Sequence, residues 1–411
     1  MRIRRAKVML ALTAITFAFA LATGHPMFWR STYVFLALLA IAGIWVWVMG
    51  RGVDVEVRRL ALRSSAGGSI QERVLVRRRS RLQRGWLEVM EQTTMPTDAP
   101  GALVNLEEAN GLTVELETKS PQRGLFEIGP LLASTSDPFG LFQVRRQIGV
   151  AQALTVHPRT VELPGFVLLP ADLPGEGPRH VRSSHVTTSA YGIRDYNFGD
   201  SLNRISWKAT AHHDRLMVKE FEVEPANNIW VLLDLDRRSY TGATGKSAEE
   251  TAVSIAASIC RRYVDVHFPV GLMAWSQEPV VVFPQRGPGH LIQVLDVMAG
   301  LRATGGKHLL DLIGDLHALA GRFTSVAIVT PSITTDWLEG VSYLLEKRAR
   351  VTVVIVDGNT RGSMAPPSAE QAVNLGLPTY IVRVGQEAQG LTPLMTSTSA
   401  WDSRANVPVT K

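Results

Sequence analysis

The chain has 411 residues, of which 45% are hydrophobic and 19% charged, with a formal net charge of +6. At the usual ~100–200 residues per domain this allows two to four units with real cores, and it excludes wholesale disorder. The single cysteine, Cys260, excludes a disulfide framework and any multi-cysteine zinc or iron–sulfur site, and so modest a charge makes no case for nucleic acid.

Residues 8–23 carry no charge, and after Gly24-His25-Pro26 a second apolar run covers residues 33–49. Each is close to the ~17–25 residues needed to cross a bilayer. Helices are expected over about 8–24 and 32–50, forming a transmembrane hairpin in residues 1–50. Ala18-Phe19-Ala20 resembles a signal-peptide cleavage site, but a second membrane-length run follows at once. Arg2, Arg4, Arg5 and Lys7 precede the first run and Arg51, Arg58, Arg59 and Arg63 follow the second, whereas the connection carries only Arg30. Positive-inside counting then gives a multi-pass inner-membrane protein with its N-terminus and C-terminal body in the cytoplasm.

Residues 51–160 read as a β-rich, sandwich-like domain. Strands are expected at 53–57, 72–77, 85–91, 112–117, 124–128 and 153–156, separated by turn-rich breaks. Ten arginines lie between Arg51 and Arg84, readable as attraction to anionic lipid heads or as solvated strand faces. Asp137-Pro-Phe-Gly-Leu-Phe142 fits a type I turn capped by Asp137, with Phe139 and Phe142 plugging a neighbouring core.

Residues 161–222 are expected to link this domain to the next, with a proline- and glycine-rich surface connector at 165–178. The stretch from Tyr191 to Thr210 interleaves charged residues with tyrosine, tryptophan and glycine. Arg194, Asp195, Tyr196, Asp200, Arg204, Trp207 and Lys208 are candidates for a docking surface; the alternative is an internal ion-pair lattice, since buried charges must be paired. His212 and His213, read as adjacent strand residues, would point to opposite faces and chelate poorly.

Residues 223–390 alternate strand and helix. A buried strand at 229–235 precedes a helix at 248–264, with Ser247 and Glu250 as a capping box. Strands at 270–275, 280–283, 325–330, 351–356 and 377–384 alternate with helices at 290–302, 308–322 and 336–347. This pattern predicts a doubly wound, mostly parallel sheet with helices on both faces. The tail, 391–411, reads as loosely ordered.

The string Gly-x-Arg-x-Tyr-x-x-Gly-Asp-x-x-Arg-x-Ile-x-Trp-Lys from Gly192 to Lys208, with the hairpin, the Asp137–Phe142 turn and the strand ending at Asp234, resembles the DUF-fifty-eight family of membrane proteins. Ala211-His212-His213 departs from it, where an arginine is usual. The resemblance implies a von Willebrand factor A-like C-terminal domain and partners: a MoxR-type AAA+ ATPase and a transglutaminase-like membrane protein. Such domains place a metal-ion-dependent adhesion site at the end of the first strand, using Asp-x-Ser-x-Ser. Asp234 and Asp236 stand there, and oxygen ligands suit Mg²⁺. Asp236 and Arg238 replace the hydroxyls, however, and Thr304 would be a displaced loop threonine. Residues 242–247 imitate a phosphate loop incompletely, and Gly-x-Ser-x-Gly is absent. The expectation is a non-enzymatic membrane-anchored scaffold without a cofactor. The alternative is a metal-dependent protein-binding module using Asp234 and Asp236.

Overall fold

In a computed structural model of the chain, the described residues are 4–51, 53–78, 85–107, 110–168, 190–196, 205–221, 228–241, 244–321, 324–358, 365–385 and 391–394. The chain divides into two compact units: Met1–Arg159 with Leu295–Leu301, and Thr160–Val294 with Arg302–Lys411.

The first unit opens with helices α1 (Arg4–Thr23) and α2 (Pro26–Arg51), each longer than expected and both long and apolar enough to cross a membrane. Pro26 begins α2 because a proline at the first helical position costs no hydrogen bond. The helices run antiparallel, with Thr32 Oγ1 donating to Thr16 Oγ1 at 3.2 Å and Phe19 stacked on Phe28.

A sheet-rich body follows: β1 (Val53–Arg59), β2 (Arg63–Ser65), β3 (Ser69–Arg78), β4 (Trp86–Met90), β5 (Gly101–Asn105), β6 (Asn110–Lys119), β7 (Gly124–Ile128), β8 (Leu131–Ser136), β9 (Gln143–Ile148) and β10 (Gln152–His157). They form three sheets, ordered β1-β3-β6, β2-β10-β7 and β5-β4-β8-β9. All pairings are antiparallel except that of the three-residue β2 with β10. Strands β2, β5, β8 and β9 escape the sequence reading; β8 does so because it is buried almost throughout and lacks an alternating pattern. Asp137 caps the β8–β9 turn as expected, accepting from the backbone N–H groups of Phe139 and Phe142. Phe142 packs inward with Leu141, but Phe139 is exposed, so the expectation that both phenylalanines plug a core is corrected.

One interaction joins all three sheets. Val53, Val55 and Val57 alternate inward along β1, and Arg59 takes an inward place where another apolar residue would stand. Its Nε donates to Glu72 Oε1 of β3 at 2.6 Å and its Nη2 to Glu91 Oε1, just beyond β4, at 3.1 Å. Nη1 reaches Gln152 Oε1 of β10 at 3.3 Å. Arg59 is therefore not one of the lipid-facing arginines. Glu72 and Glu91 are fully buried. Burial, with Glu72 beside it, pushes the Glu91 carboxyl up to about 8.

The second unit begins with a strap. Residues 165–168 are not a surface connector: Phe166 is buried between Tyr263 and Tyr380, whose hydroxyls accept from the backbone N–H groups of Leu168 and Val167. Next come β11 (Ala190–Asp195), α3 (Trp207–His213) and β12 (Met217–Phe221), with β11 and β12 antiparallel. His212 and His213 end a helix rather than lying in a strand, and Asp214 closes it at φ 50°.

The α/β body comprises β13 (Ile229–Leu233), α4 (Gly245–Asp265), β14 (Val270–Trp275), β15 (Pro279–Gln285), α5 (Pro288–Gly300), α6 (Leu309–Leu319), β16 (Ser325–Thr330), α7 (Trp337–Glu346), β17 (Arg350–Asp357), α8 (Pro367–Asn374), β18 (Thr379–Arg383) and β19 (Thr392–Leu394). The sheet order is β15-β14-β13-β16-β17-β18-β19, parallel except at its two edge strands. Trp230 and Leu232 pack with α6, α7 and α8, while Ile229, Val231 and Leu233 alternate to the opposite face and α4 lies against the central strands. Both faces are covered, which is why β13 shows no alternation. The capping box is corrected: α4 starts at Gly245 with Thr244 as its N-cap, leaving Ser247 inside the first turn. β19 lies in the tail expected to be loose.

Arg59→Ala strands two buried carboxyl groups and is expected to cost ~3–5 kcal/mol in chemical denaturation of the full-length protein. The pH sign follows from Glu91. Its proton is held in the folded state up to about 8 but lost near the ordinary carboxylate value once unfolded, so its contribution to stability falls as pH rises between those values. Glu91→Gln is expected to flatten the decline in Tm between about pH 5 and 8; an unchanged profile would overturn this assignment.

Candidate functional site

The parallel strands turn outward in opposite directions from β13, with β14 on one side and β16 on the other. Doubly wound sheets bind ligands in the crevice beyond the carboxyl ends of the strands at such a switch point. Here that crevice is a cleft of about 590 Å³ lined by Asp236, Arg238, His308, Ser332, Thr334 and Trp337, among others.

Asp234 leaves β13 still in register, its N–H donating to Val329 O of β16. The side chain is buried. Its Oδ1 accepts from the N–H of Asp236 at 2.9 Å and its Oδ2 from Thr330 Oγ1 at 2.6 Å. Tyr240 Oη donates to the carbonyl of Asp234 at 2.6 Å. Burial pushes the Asp234 carboxyl up to about 6, against the opposing pull of these hydrogen bonds.

Asp236 caps the short 3₁₀ turn Arg237–Ser239, accepting from the Arg238 N–H at 3.1 Å. The Arg238 guanidinium then folds back, with Nε 3.4 Å from Asp236 Oδ1 and Nη2 donating to Gly306 O at 2.9 Å. Its Nη1 lies 2.5 Å from His308 Nε2, so that nitrogen accepts and Nδ1, 3.4 Å from Asp236 Oδ2, carries the proton. The 305–306 backbone approaches so closely that a Cβ on Gly305 would stand 2.4 Å from Trp275 O. Only glycine fits there.

The donors do not fit a divalent cation. Both Asp234 oxygens already accept hydrogen bonds, and a guanidinium stands against Asp236 where a cation would sit. Among the described residues no group of three or more His, Cys, Asp or Glu side chains is arranged to hold a metal ion. Thr304 Oγ1 lies instead with Ser276 Oγ, at 3.3 Å. His308 is the member of the cluster that sequence reasoning missed. The Gly305-Gly306 pair just before it was the available signal, because it marks a close backbone approach.

The docking candidates lie elsewhere in the same unit. Arg194 sits on β11 opposite Val218, and Asp195 follows it opposite Met217. Asp195 forms a surface ion pair with Arg215 at 3.2 Å rather than part of a buried lattice. Tyr196 donates its N–H to Leu216 O. Trp207 and Lys208 open α3; Trp207 is 69% exposed and Lys208 is exposed. Asp200 and Arg204 lie outside the described residues.

Residues 192–365 match the family described as "Protein of unknown function DUF58". The "Uncharacterized protein YeaD" of Bacillus subtilis (strain 168) is 24% identical over 360 residues, 85% of this chain and 87% of that protein. A β-glucosidase from Listeria innocua in complex with gluconolactone aligns over 24% of this chain and 16% of its own, with 13% identity and a TM-score of 0.16. A cycloisomaltooligosaccharide glucanotransferase from Paenibacillus sp. aligns over 80% and 48%, with 14% identity and a TM-score of 0.18. The chain thus spans less than half the length of either solved protein, and likeness at that level carries no argument. The family match and the Bacillus relative together support membership of this chain in the DUF58 family.

Proposed function

We propose that the chain is a membrane-anchored, non-enzymatic scaffold whose second unit, of von Willebrand factor A type, docks a MoxR-type AAA+ ATPase on the cytoplasmic side of the inner membrane. A role in envelope-related assembly, beside a transglutaminase-like membrane protein, goes with this reading. The anchor is supported by helices α1 and α2 and the orientation by their basic flanks. The A-type reading is supported by the doubly wound strand order, with Asp234 at the carboxyl end of its first strand. The partner rests on the family resemblance alone.

The observation that carries the docking surface is Trp207. A tryptophan 69% exposed at the start of a short helix, followed by the exposed Lys208, leaves most of its ring in solvent. Exposed tryptophans of this kind are the residues most enriched where binding energy concentrates. The Asp234 cluster serves the fold: Asp234 ties β13 to β16, and Arg238 neutralises Asp236. In the cleft Thr334 Oγ1 donates to Asp336 Oδ1 at 2.5 Å and lies 3.0 Å from Ser332 Oγ, in the loop before α7.

Capture of the ATPase on full-length protein purified from native membranes is expected to fall at least ~10-fold with Trp207→Ala, a loss of ~1.4 kcal/mol, with Tm unchanged. Capture undiminished in both Trp207→Ala and Lys208→Glu would overturn the surface, and recovery of no ATPase at all would overturn the partner. Mg²⁺ titrated to ~10 mM is expected to leave the Tm of the purified protein within ~1 °C, since only an ion that binds the folded state raises it. A rise of several degrees that Asp234→Asn abolishes would favour the metal-dependent module instead.

A further inference from the structure

The hairpin does not end where the β-rich body begins. Within the first unit, the 137–142 turn packs Leu141 and Phe142 against Ala6 and Met9 of α1 and against Leu38, Leu39 and Ala42 of α2. Beyond that level α2 continues to Arg51 as part of the body's core: Val46 and Met49 are buried, Trp45 and Val48 pack with the strands, and Gly50 lies against Val144 of β9. The antiparallel pairing of Thr16 with Thr32 sets the start of α1 level with about residue 44 of α2, so α2 alone extends further.

Length then decides where the bilayer reaches. From Pro26 to Leu38, above the turn, α2 rises only ~20 Å, about 10 Å short of a hydrocarbon core. Its uncharged stretch from Ser31 to Gly50 is ~30 Å long, which matches that core. The lower half of that stretch has two faces. Ala42, Val46 and Met49 face protein, whereas Ile41, Ile44 and Trp47, spaced as one stripe, are 59%, 63% and 58% exposed. The stripe continues the exposed apolar surface of the hairpin, whose membrane-length windows are only 17% and 22% buried. Phe139, at the tip of the turn seated on these helices, is 57% exposed.

We propose that the 137–142 turn and the last turns of α2 form a collar embedded in the lipid bilayer, with Phe139, Ile41, Ile44 and Trp47 in contact with acyl chains or the headgroup boundary. The β-rich body is then partly sunk in the membrane surface instead of hanging below it. This rests on the reading of α1 and α2 as a membrane anchor. Lys7, near the start of α1, is exposed at the collar's level, where long basic side chains reach up to headgroups.

The test is depth-dependent quenching on the full-length protein in phosphatidylcholine–phosphatidylglycerol vesicles. An environment-sensitive maleimide dye is placed on Phe139→Cys, on Ile44→Cys and, as the anchor reference, on Phe19→Cys. Cys260 is buried, with its thiol pushed up to about 12, and does not compete for label. Brominated acyl chains are expected to quench all three labels at least ~2-fold, while aqueous iodide quenches none. Quenching at 19 with either collar label unquenched by bromine and open to iodide would overturn the collar and leave the anchor standing. No lipid quenching at any site would overturn the anchor reading and the collar with it. If circular dichroism shows Phe139→Cys unfolded, Pro138→Cys on the same exposed turn carries the same outcomes.

Discussion

Helix α2 is asked to satisfy two surroundings along one continuous rod, and the first unit is arranged around that demand. Its first half presents apolar side chains outward nearly all round, as a helix in lipid does. Its second half splits, with Met49 in the core formed by β3, β4, β5, β6 and β8 and with Trp45 and Val48 packed against that core. A helix transmits its rotation rigidly from one end to the other. The position of the hairpin and the packing of the sheets are therefore not independent, and the Asp137-capped turn seats on the hairpin at the level of Leu38, Leu39 and Ala42. A flexible linker between anchor and body would impose no such coupling.

Within the sheets the corresponding fixed point is Arg59. Three sheets of short strands expose many edges, and hydrophobic area alone does not specify how they meet. A planar guanidinium with donors in several fixed directions does, because Glu72, Glu91 and Gln152 must converge on it in one geometry. Burial raises the Glu91 value, and the second carboxyl crowding the same cation raises it further. Buried clusters of this kind add little net stability, but breaking one is costly.

In the second unit Asp234 has an analogous place. Its oxygens satisfy the Asp236 N–H and the Thr330 hydroxyl, so it closes the strand ends at the switch point rather than opening them to a ligand. Asp236 is answered by the chain's own guanidinium and imidazole. Arg238 stands against Asp236, and the cleft beyond it is bounded by hydroxyls and Trp337. The proposed docking surface lies instead around Trp207, where an apolar ring stands in solvent.

Much of this was legible in residue order. The charge-free runs, the alternation in 53–57, the unbroken apolar run at 229–233 and the Asp-Pro-Phe-Gly turn all depend on neighbours within a few positions, and backbone period converts such patterns directly into helix, half-buried strand, buried strand and turn. The sequence also displayed Asp234, Asp236 and Arg238 close together, and the conflict between two carboxylates and a guanidinium was visible before any fold. What only the tertiary structure decided was which partners meet across long separations: Arg59 with Glu91 and Gln152, Asp236 with His308, Leu141 with Ala6 and Ala42. Those contacts arise from sheet topology and helix pairing, which no local period encodes. The same physics explains the misplaced elements. Strand β8 is buried on both faces and shows no alternation, and α4 begins at Gly245 rather than at the Ser247 cap, its N-cap Thr244 making no side-chain cap hydrogen bond.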